Sequence, residues 1–305
     1  MRKPKLSIVI LSYNLKDMLR DCLESLMKVK GEVDFEIIVP DNGSNDGSLE
    51  MLQKLKAKNS KLSIIDNKIN LGFAKGNNQA RQHCKGEYVL FLNADTIVRK
   101  NTLKKTVEYL DKHEDVGAVT CKMILPNGEL DKDSRRSFIT PWIGLVHIFL
   151  KLDRIFPKSK LFGQYWYGHM SEDREHEVDV IEGAYFMARK QILDEVGWFD
   201  ESYFLDGENI ELCWQIKNRG WKIIYYPKVK ITHFKGAAKG KVSSQTKQQV
   251  PLGERLRFRM AGVNSMEMFY KRHMWEKYPL LFNLFVLTGI KLVKSSRYIR
   301  TILLG

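Results

Sequence analysis

Short apolar runs rich in β-branched and aromatic residues recur through the first third of the chain. They fall at Leu6 to Leu11, Phe35 to Val39, Leu62 to Ile65 and Tyr88 to Leu92, and read as buried strands. Between them apolar residues fall at helical spacing, predicting helices over Lys16 to Met27 (Leu19, Leu23 and Leu26 inward), Gly47 to Lys56, Lys75 to His83 and Asn101 to Lys112. Strands alternating with helices imply parallel pairing through βαβ crossovers, an α/β fold. Ligands of such sheets bind at the carboxyl ends of the strands. Those ends read Ser12-Tyr13-Asn14, Asp41-Asn42-Gly43-Ser44, Asp66 to Gly72 and Asn93-Ala94-Asp95, all polar, loop-forming and on one rim.

From Pro126 to about Val178 the pattern turns irregular, basic and aromatic, with Arg135, Arg136, Trp142, Tyr165, Trp166 and Tyr167, and reads as an insertion or acceptor-side subregion. A second ordered block follows: a strand over Val178 to Met187, a turn at Gly197, a helix over Asn209 to Arg219, and strands over Lys222 to Tyr226 and Val229 to Thr232. The tail is apolar from Pro279 to Ile290 except for Asn283 and Thr288, and Lys271, Arg272, Lys277, Lys291, Lys294, Arg297 and Arg300 flank it. That is the pattern of an amphipathic helix lying at an anionic membrane surface; the plain alternative is a terminal helix packed on the core. The expected division is 1–240 for one domain (1–125, an insertion 126–178, and 179–240) and 241–305 for a helical tail.

Composition narrows the class. With 305 residues, 44% of them hydrophobic, the chain has material for one large α/β core. A net charge of +14, from 50 Lys and Arg against 36 Asp and Glu, points to anionic partners: nucleotides, nucleic acid or an acidic membrane face. Cys22, Cys84, Cys121 and Cys213 are scattered with no Cys-x-x-Cys pair, so neither a zinc site nor a disulfide framework is expected. The basic start Met1 to Lys5 precedes an apolar run too short for export, and no stretch reaches the roughly 18 to 20 apolar residues that span a bilayer. The expected location is the cytoplasm, at the inner face of the membrane.

The rim loops carry candidate chemistry. The Asp41 carboxylate is suited to accept hydrogen bonds from a base imide or a ribose hydroxyl, although Asp-Asn-Gly-Ser-Asn-Asp-Gly-Ser is also a plain turn with Asn45 or Asp46 capping the next helix. Asn70-Leu-Gly-Phe-Ala-Lys-Gly-Asn-Asn78 has the look of a phosphate cradle, since Gly72 and Gly76 allow close backbone approach before a helix start. It is no dinucleotide fingerprint, because no glycine follows the first strand until Gly31. Asn93-Ala94-Asp95 places oxygen ligands where Mg²⁺ or Mn²⁺ would meet a diphosphate. Glu208 and Glu211, three apart, share one face of a helix start with Asp206 just before it, as a catalytic acid or as partners of the helix dipole. His233 ends a strand and precedes the small-residue loop Gly236-Ala237-Ala238.

In order, Ser7-Ile-Val-Ile-Leu-Ser-Tyr-Asn14, Asp41-Asn-Gly-Ser44, Asn70-Leu-Gly-Phe73 with Gly76-Asn77-Asn78, Leu92-Asn-Ala-Asp-Thr96, Gly197-Trp-Phe-Asp200 and Arg219-Gly-Trp221 resemble family-two glycosyltransferases of the GT-A fold, particularly the bacterial rhamnosyltransferase-like branch. The resemblance covers about Leu6 to Ala238. It implies a mixed sheet flanked by helices, with a nucleotide-diphosphate sugar site drawn from Ser12, Tyr13, Asn14, Asp41, Asn70, Gly72, Phe73, Gly76, Asn77, Asn93, Ala94 and Asp95. It also implies Asp95 as the metal-binding acid and His233 as a distal metal ligand. Where that family places Glu-Asp at the catalytic helix, with the Asp as base, this chain has Glu208-Asn209. An amide cannot accept a proton at neutral pH, so Glu208, ahead of Glu211 and Asp206, is the expected base.

The implied reaction is a single in-line displacement with inversion, from a dTDP-rhamnose-like or UDP-sugar donor to a hydroxyl of a cell-surface glycan or lipid-linked acceptor, with Mg²⁺ or Mn²⁺. A relative that binds a nucleotide sugar or polysaccharide without turnover is the competing reading. A nucleotidyltransferase would need a Gly-rich, basic triphosphate loop after the first strand, and nucleic-acid binding would need a stacking motif; neither is present, so no nucleic-acid partner is expected.

Overall fold

A computed structural model describes residues 3–235 and 252–303. In chain order the elements are β1 (Leu6–Val9), α1 (Lys16–Lys28), β2 (Phe35–Asp41), α2 (Ser48–Lys56), β3 (Leu62–Asp66), α3 (Phe73–Asn78), β4 (Tyr88–Leu92), β5 (Thr96–Val98), α4 (Thr102–Lys112) and β6 (Val116–Ile124). The short α5 (Pro141–Gly144), α6 (Leu152–Ile155) and β7 (His176–Glu177) follow, then β8 (Tyr185–Arg189), α7 (Lys190–Val196), α8 (Glu208–Asn218), β9 (Lys222–His233), α9 (Leu252–His273) and α10 (Leu280–Leu303).

The strands form one sheet in the order β3-β2-β1-β4-β8-β6-β9-β5, with β7 paired to β9. β1 to β4 run parallel, as the apolar runs predict. β8 enters antiparallel between β4 and β6, which makes the sheet mixed. Buried residues cover both faces. One layer centres on Leu19, Leu23, Leu90 and Leu110, the other on Phe91, Phe186, Trp198 and Phe199. Strands buried on both sides read as continuous apolar runs, which is why β1, β2 and β4 are legible.

Several elements depart from the sequence pattern. β6 is not marked by it, because Gly117, Thr120 and Lys122 break the apolar run, yet it is a central strand. The strand expected over Val178 to Met187 is present only as Tyr185–Arg189. Residues 178–184 instead make isolated bonds, Val180 bridging Arg136, and turn at Gly183, where an added Cβ would lie 2.8 Å from the Phe73 ring. The two strands expected either side of Tyr226 are one, β9. Its pairing with β6 jumps from Cys121↔Tyr226 to Lys122↔Lys230, so an irregularity forms around Pro227, which has no N–H for the ladder. The helix expected over Lys75 to His83 starts at Phe73, ends at Asn78 and resumes as a turn of 3₁₀ helix at Arg81–His83.

α9 and α10 pack against each other and onto the second layer, to which α9 contributes Val263, Phe269 and Tyr270, and α10 Ile290. Asn283, the polar interruption in the apolar tail, is buried: it accepts from Tyr270 Oη at 2.6 Å and donates to the carbonyls of Trp275 and Tyr278, both at 2.9 Å. Among the described residues no helix is long and apolar enough to cross a membrane. The expected boundary at 240/241 and the small-residue loop at 236–238 lie outside the described residues.

Candidate active site

The carboxyl ends of β1, β2 and β3 are tied into one rim by their own polar side chains. Ser12 pairs with Asp41 beyond the end of β1, both fully buried, and the Ser12 hydroxyl has no hydrogen-bond partner. Asp41 takes the Ser44 amide at 2.8 Å on one oxygen and the Ser44 hydroxyl at 2.7 Å on the other. A carboxylate has about four acceptor positions, so each oxygen keeps capacity for a ligand donor. Asn14, exposed and in the left-handed region at φ 52°, accepts the Asn45 amide at 2.8 Å, and Tyr13 beside it is half-buried. Asp46 caps α1 as well as α2, accepting from the amides of Lys16 (2.8 Å) and Ser48 (3.0 Å).

Asn42 and Asn67, which sequence reasoning did not single out, hold these loops together. Asn67 donates to Asn42 Oδ1 at 2.9 Å, while Asn42 Nδ2 donates to Asn70 Oδ1 at 3.3 Å and Gly72 O at 3.0 Å. A run of Asx residues at two neighbouring strand ends is the signal that would have found them.

The phosphate cradle expected at residues 70–78 is occupied by the protein itself. Gly72 has φ 81°, and a Cβ there would lie 2.9 Å from both the ring and the carbonyl of Phe204. The first amide of the turn, Phe73 N, donates to Phe204 O at 3.2 Å. At Gly76 the close neighbours are Leu11 and Asn42, and Asn77 donates within its own helix to Phe73 O. The Phe73 ring packs on Phe199, with centroids 5.6 Å apart. The glycines thus serve packing between loops, and Gly72, Phe73, Gly76 and Asn77 form the wall behind the rim rather than an open anion site.

Asn93, Ala94 and Asp95 make the tight link from β4 into β5, which pairs with the end of β9 so that Thr96 faces His233. This register brings Asp95 to His233. Asp95 is 2% exposed, and its Oδ1 has no hydrogen bond, lying 3.4 Å from His233 Nε2. The opposite ring nitrogen, Nδ1, bonds Asp131 Oδ2 at 2.7 Å, and Lys235 holds the other Asp131 oxygen at 2.8 Å. Asp131 was not foreseen. The turn at Asn127-Gly128, with Gly128 at φ 86°, folds the chain back along β6 and delivers it, and that dipeptide is the signal in the sequence. Burial by itself lowers the His233 pKa, but the bonds and charges of Asp131 and Asp95 outweigh it and raise it to about 9. Burial raises the Asp131 pKa, and His233 and Lys235 bring it down to about 2.

The donor set suits a divalent cation: a buried carboxylate oxygen with no hydrogen bond, 3.4 Å from an imidazole whose other nitrogen is anchored by a second carboxylate, and no thiolate. Among the described residues no group of three or more His, Cys, Asp or Glu converges to hold an ion alone. Asp95 and His233 would therefore need oxygens from diphosphate and water to complete a shell.

The loop from Ile181 to Ala184 joins this centre to the start of α8. Asn93 N donates to Ala184 O at 3.4 Å, and Asn209 Nδ2 donates to Ile181 O at 3.2 Å and to Glu182 Oε2 at 3.1 Å. Arg136 reaches the same Glu182 oxygen at 2.6 Å. Of the three candidate bases, Glu208 is buried, its carboxylate held by backbone amides at the helix start, among them Gly207 N at 3.0 Å from Oε2; burial raises its pKa to about 7, with Asp206 and Glu182 adding to the rise. Glu211 is engaged elsewhere, by His273 Nε2 at 2.7 Å, Tyr203 Oη at 3.0 Å and Gln215 at 2.8 Å. Asp206, at φ 61°, lies against Gly262 of α9. A concavity of about 960 Å³ at the opposite rim, lined by Lys5, Glu32, Glu87 and Asp111 among others, is open surface whose charges are satisfied internally, Lys5 reaching Glu87 at 2.6 Å and Asp111 at 2.8 Å.

Residues 7–197 match the sequence family described as Glycosyl transferase family 2. The chain belongs to this family. As a family 2 chain it is 26% identical over 222 residues to the poly-beta-1,6-N-acetyl-D-glucosamine synthase of Staphylococcus aureus (strain MSSA476), covering 73% of this chain and 48% of that protein. It is 35% identical over 112 residues to the uncharacterized glycosyltransferase YfnE of Bacillus subtilis (strain 168), covering 37% and 28%. The chain thus spans about half the length, or less, of these curated relatives.

Among solved structures it resembles the mannosyltransferase PcManGT from Pyrobaculum calidifontis in complex with GDP-Man and Mn²⁺, with a TM-score of 0.58 at 17% identity over 99% of this chain and 74% of that one. It also resembles GalNAc-T7 with UDP, GalNAc and Mn²⁺, with a TM-score of 0.56 at 18% identity over 76% and 44%. The fold is GT-A, a mixed α/β sheet flanked by helices.

Proposed function

We propose that this chain is an inverting glycosyltransferase that uses Mg²⁺ or Mn²⁺ and moves a sugar from a dTDP-rhamnose-like or UDP-sugar donor to a hydroxyl of a cell-surface glycan or lipid-linked acceptor. The observation that carries the reading is the buried Asp95 oxygen, free of hydrogen bonds and 3.4 Å from His233, on the same rim as Asp41. The synthase name of the staphylococcal relative supports a polysaccharide product, and the ordered motifs support the rhamnosyltransferase-like branch.

In this reading Ser12, Asn14 and Asp41 receive the nucleoside, and Asp95 and His233 hold the cation, with Asp131 fixing the imidazole. When bound, the cation supplies neutralisation of the diphosphate's charge. Glu208 accepts the proton of the acceptor hydroxyl; the acceptor oxygen forms its bond to the anomeric carbon as the bond to the nucleoside diphosphate breaks on the opposite face. A carboxyl with a pKa near the working pH balances being deprotonated against being basic enough to take that proton. No covalent intermediate is needed.

Peripheral membrane contact belongs to the same reading. α10 packs one face on α9 and leaves Leu281 (82% exposed), Phe285 (70%) and Leu292 (62%) uncovered. The insertion residue Phe149, also exposed, abuts this helix: a Cβ on Gly289 would be 3.2 Å from its ring. Lys291, Arg297 and Arg300 lie on the same helix, which suits an anionic lipid surface that carries the acceptor.

The test is product formation with a panel of nucleotide sugars. Glu208→Gln should lower turnover by about 10²-fold or more, the size of a lost general base, while donor affinity stays as in the parent. Donor binding with no product from the parent itself would favour the binding-protein alternative.

A further inference from the structure

The two adjacent arginines that open the insertion are treated differently by the fold. Arg136 is paired with Glu182 at 2.6 Å. Arg135 is only 4% exposed, yet among the described residues it has no ion pair: its Nη1 donates to Ser171 O at 3.0 Å, its guanidinium lies 5.2 Å from the centre of the Tyr225 ring, and its Nε is buried with no partner at all. The neighbouring carboxylates Glu172 and Asp173 are taken by Lys122, at 2.9 and 2.8 Å. Glu172 and Asp173 act on Arg135 only at a distance, and a guanidinium taken from water without a direct ion pair is costly to bury.

Arg135 lines a pocket of about 390 Å³ with Lys158, His169, Ser171 and Glu172. That is far larger than the ~30 Å³ share of one water. His169 Nδ1 is a second buried nitrogen without a partner there, and behind it the His176 ring, 5.3 Å from that of Tyr225, leaves its Nε2 unpartnered too. Two residues that line the pocket, Arg135 and His169, thus carry an unsatisfied nitrogen, one of them on a permanently charged guanidinium, and an arginine matches phosphate oxygens in particular.

We propose that the insertion of this chain carries an open phosphate-binding pocket around Arg135 and Lys158, distinct from the Asp95–His233 centre. It takes a phosphate or diphosphate group, either as free anion or carried on an acceptor. Arg135 forms the buried contact, Lys158 stands at the exposed rim, and His169 supplies a ring N–H. The pocket stands on its own geometry and does not depend on the glycosyl-transfer reading.

The experiment is calorimetric titration of the full chain, with EDTA present, by inorganic phosphate, pyrophosphate and geranyl diphosphate. EDTA and a parallel series on Asp95→Ala remove metal-assisted binding at the other site. Saturable binding is expected, unchanged by Asp95→Ala, weakened at least tenfold by Arg135→Met and several-fold by Lys158→Glu. The second substitution is at an exposed side chain, so its result does not hinge on core stability. In parallel, phosphate should raise the melting temperature of the parent but not of Arg135→Met. Tighter binding of geranyl diphosphate than of pyrophosphate identifies a lipid-linked acceptor as the source, and equal binding identifies the free anion. No saturable binding of any of the three, or binding that neither Arg135→Met nor Lys158→Glu weakens, overturns the proposal.

Discussion

At the scale of single residues, Glu208 and Glu211 show how little spacing says about role. They sit three apart at the start of one helix and are both buried, but Glu211 is consumed by the side chains of His273, Tyr203 and Gln215, whereas Glu208 is met by backbone amides and has its pKa near 7 because burial disfavours the charged form. The sign of the pH dependence follows. As base, Glu208 must be ionised, so turnover should fall as pH drops through about 7, and a profile flat from pH 6 to 8 would deny it that role. Stability runs the other way: with a folded pKa above the ordinary 4.5, the folded state holds this proton more tightly, so the contribution of Glu208 to stability is full below about 4.5 and is lost as pH rises towards 7. Asp95 and His233 were legible as separate strand-end residues, but Asp131 was not. Its partner His233 lies 102 positions away, and only the fold-back at Asn127-Gly128 brings them together.

Among the elements, the parallel strands, α8 and β9 were legible, whereas β5, β6 and β7 were not, for physical reasons. β1, β2 and β4 are buried on both faces and announce themselves as apolar runs, while β6, equally central, carries Gly117, Thr120 and Lys122. α9 shows no clean apolar stripe, since Arg255, Arg257 and Arg259 alternate with Phe258 and Met260, so the helical tail expected over 241–305 had no bounds for this helix in the sequence. At residues 70–78, a glycine that would admit a phosphate also admits a phenylalanine, and Phe204 is the neighbour found at Gly72. The start of α8 gives an element-scale prediction. Asn209 donates to Ile181 O and Glu182 Oε2, which an aspartate cannot do, so the family's Glu-Asp pair would set two carboxylates together in this chain. Asn209→Asp should cost about 1–3 kcal/mol in chemical denaturation without raising turnover, the range for an unsatisfied buried partner. A stabilised or faster variant would show that the tie to Glu182 is unimportant.

For the whole molecule, the arrangement has a direction. The strand ends that carry Asp41 and Asp95 form one rim, while α10 and the Phe149 segment of the insertion share an exposed apolar surface with basic neighbours. If that surface meets lipid, replacing Leu281 and Phe285 by Ser should reduce co-sedimentation with vesicles containing phosphatidylglycerol and leave neutral vesicles unaffected; unchanged sedimentation would remove membrane contact from the account. The packed alternative for the tail is met by one face of α10, where Ile290 joins the core, while Leu281 and Phe285 stay exposed on the other. The central claim is that this rim is a metal-assisted nucleotide-sugar site, and the most direct measurement is calorimetric titration of UDP- and dTDP-sugars with Mn²⁺, with EDTA, and on Asp95→Ala. The account predicts binding of at least one donor that is lost both with EDTA and in Asp95→Ala; donor binding that survives both would contradict it.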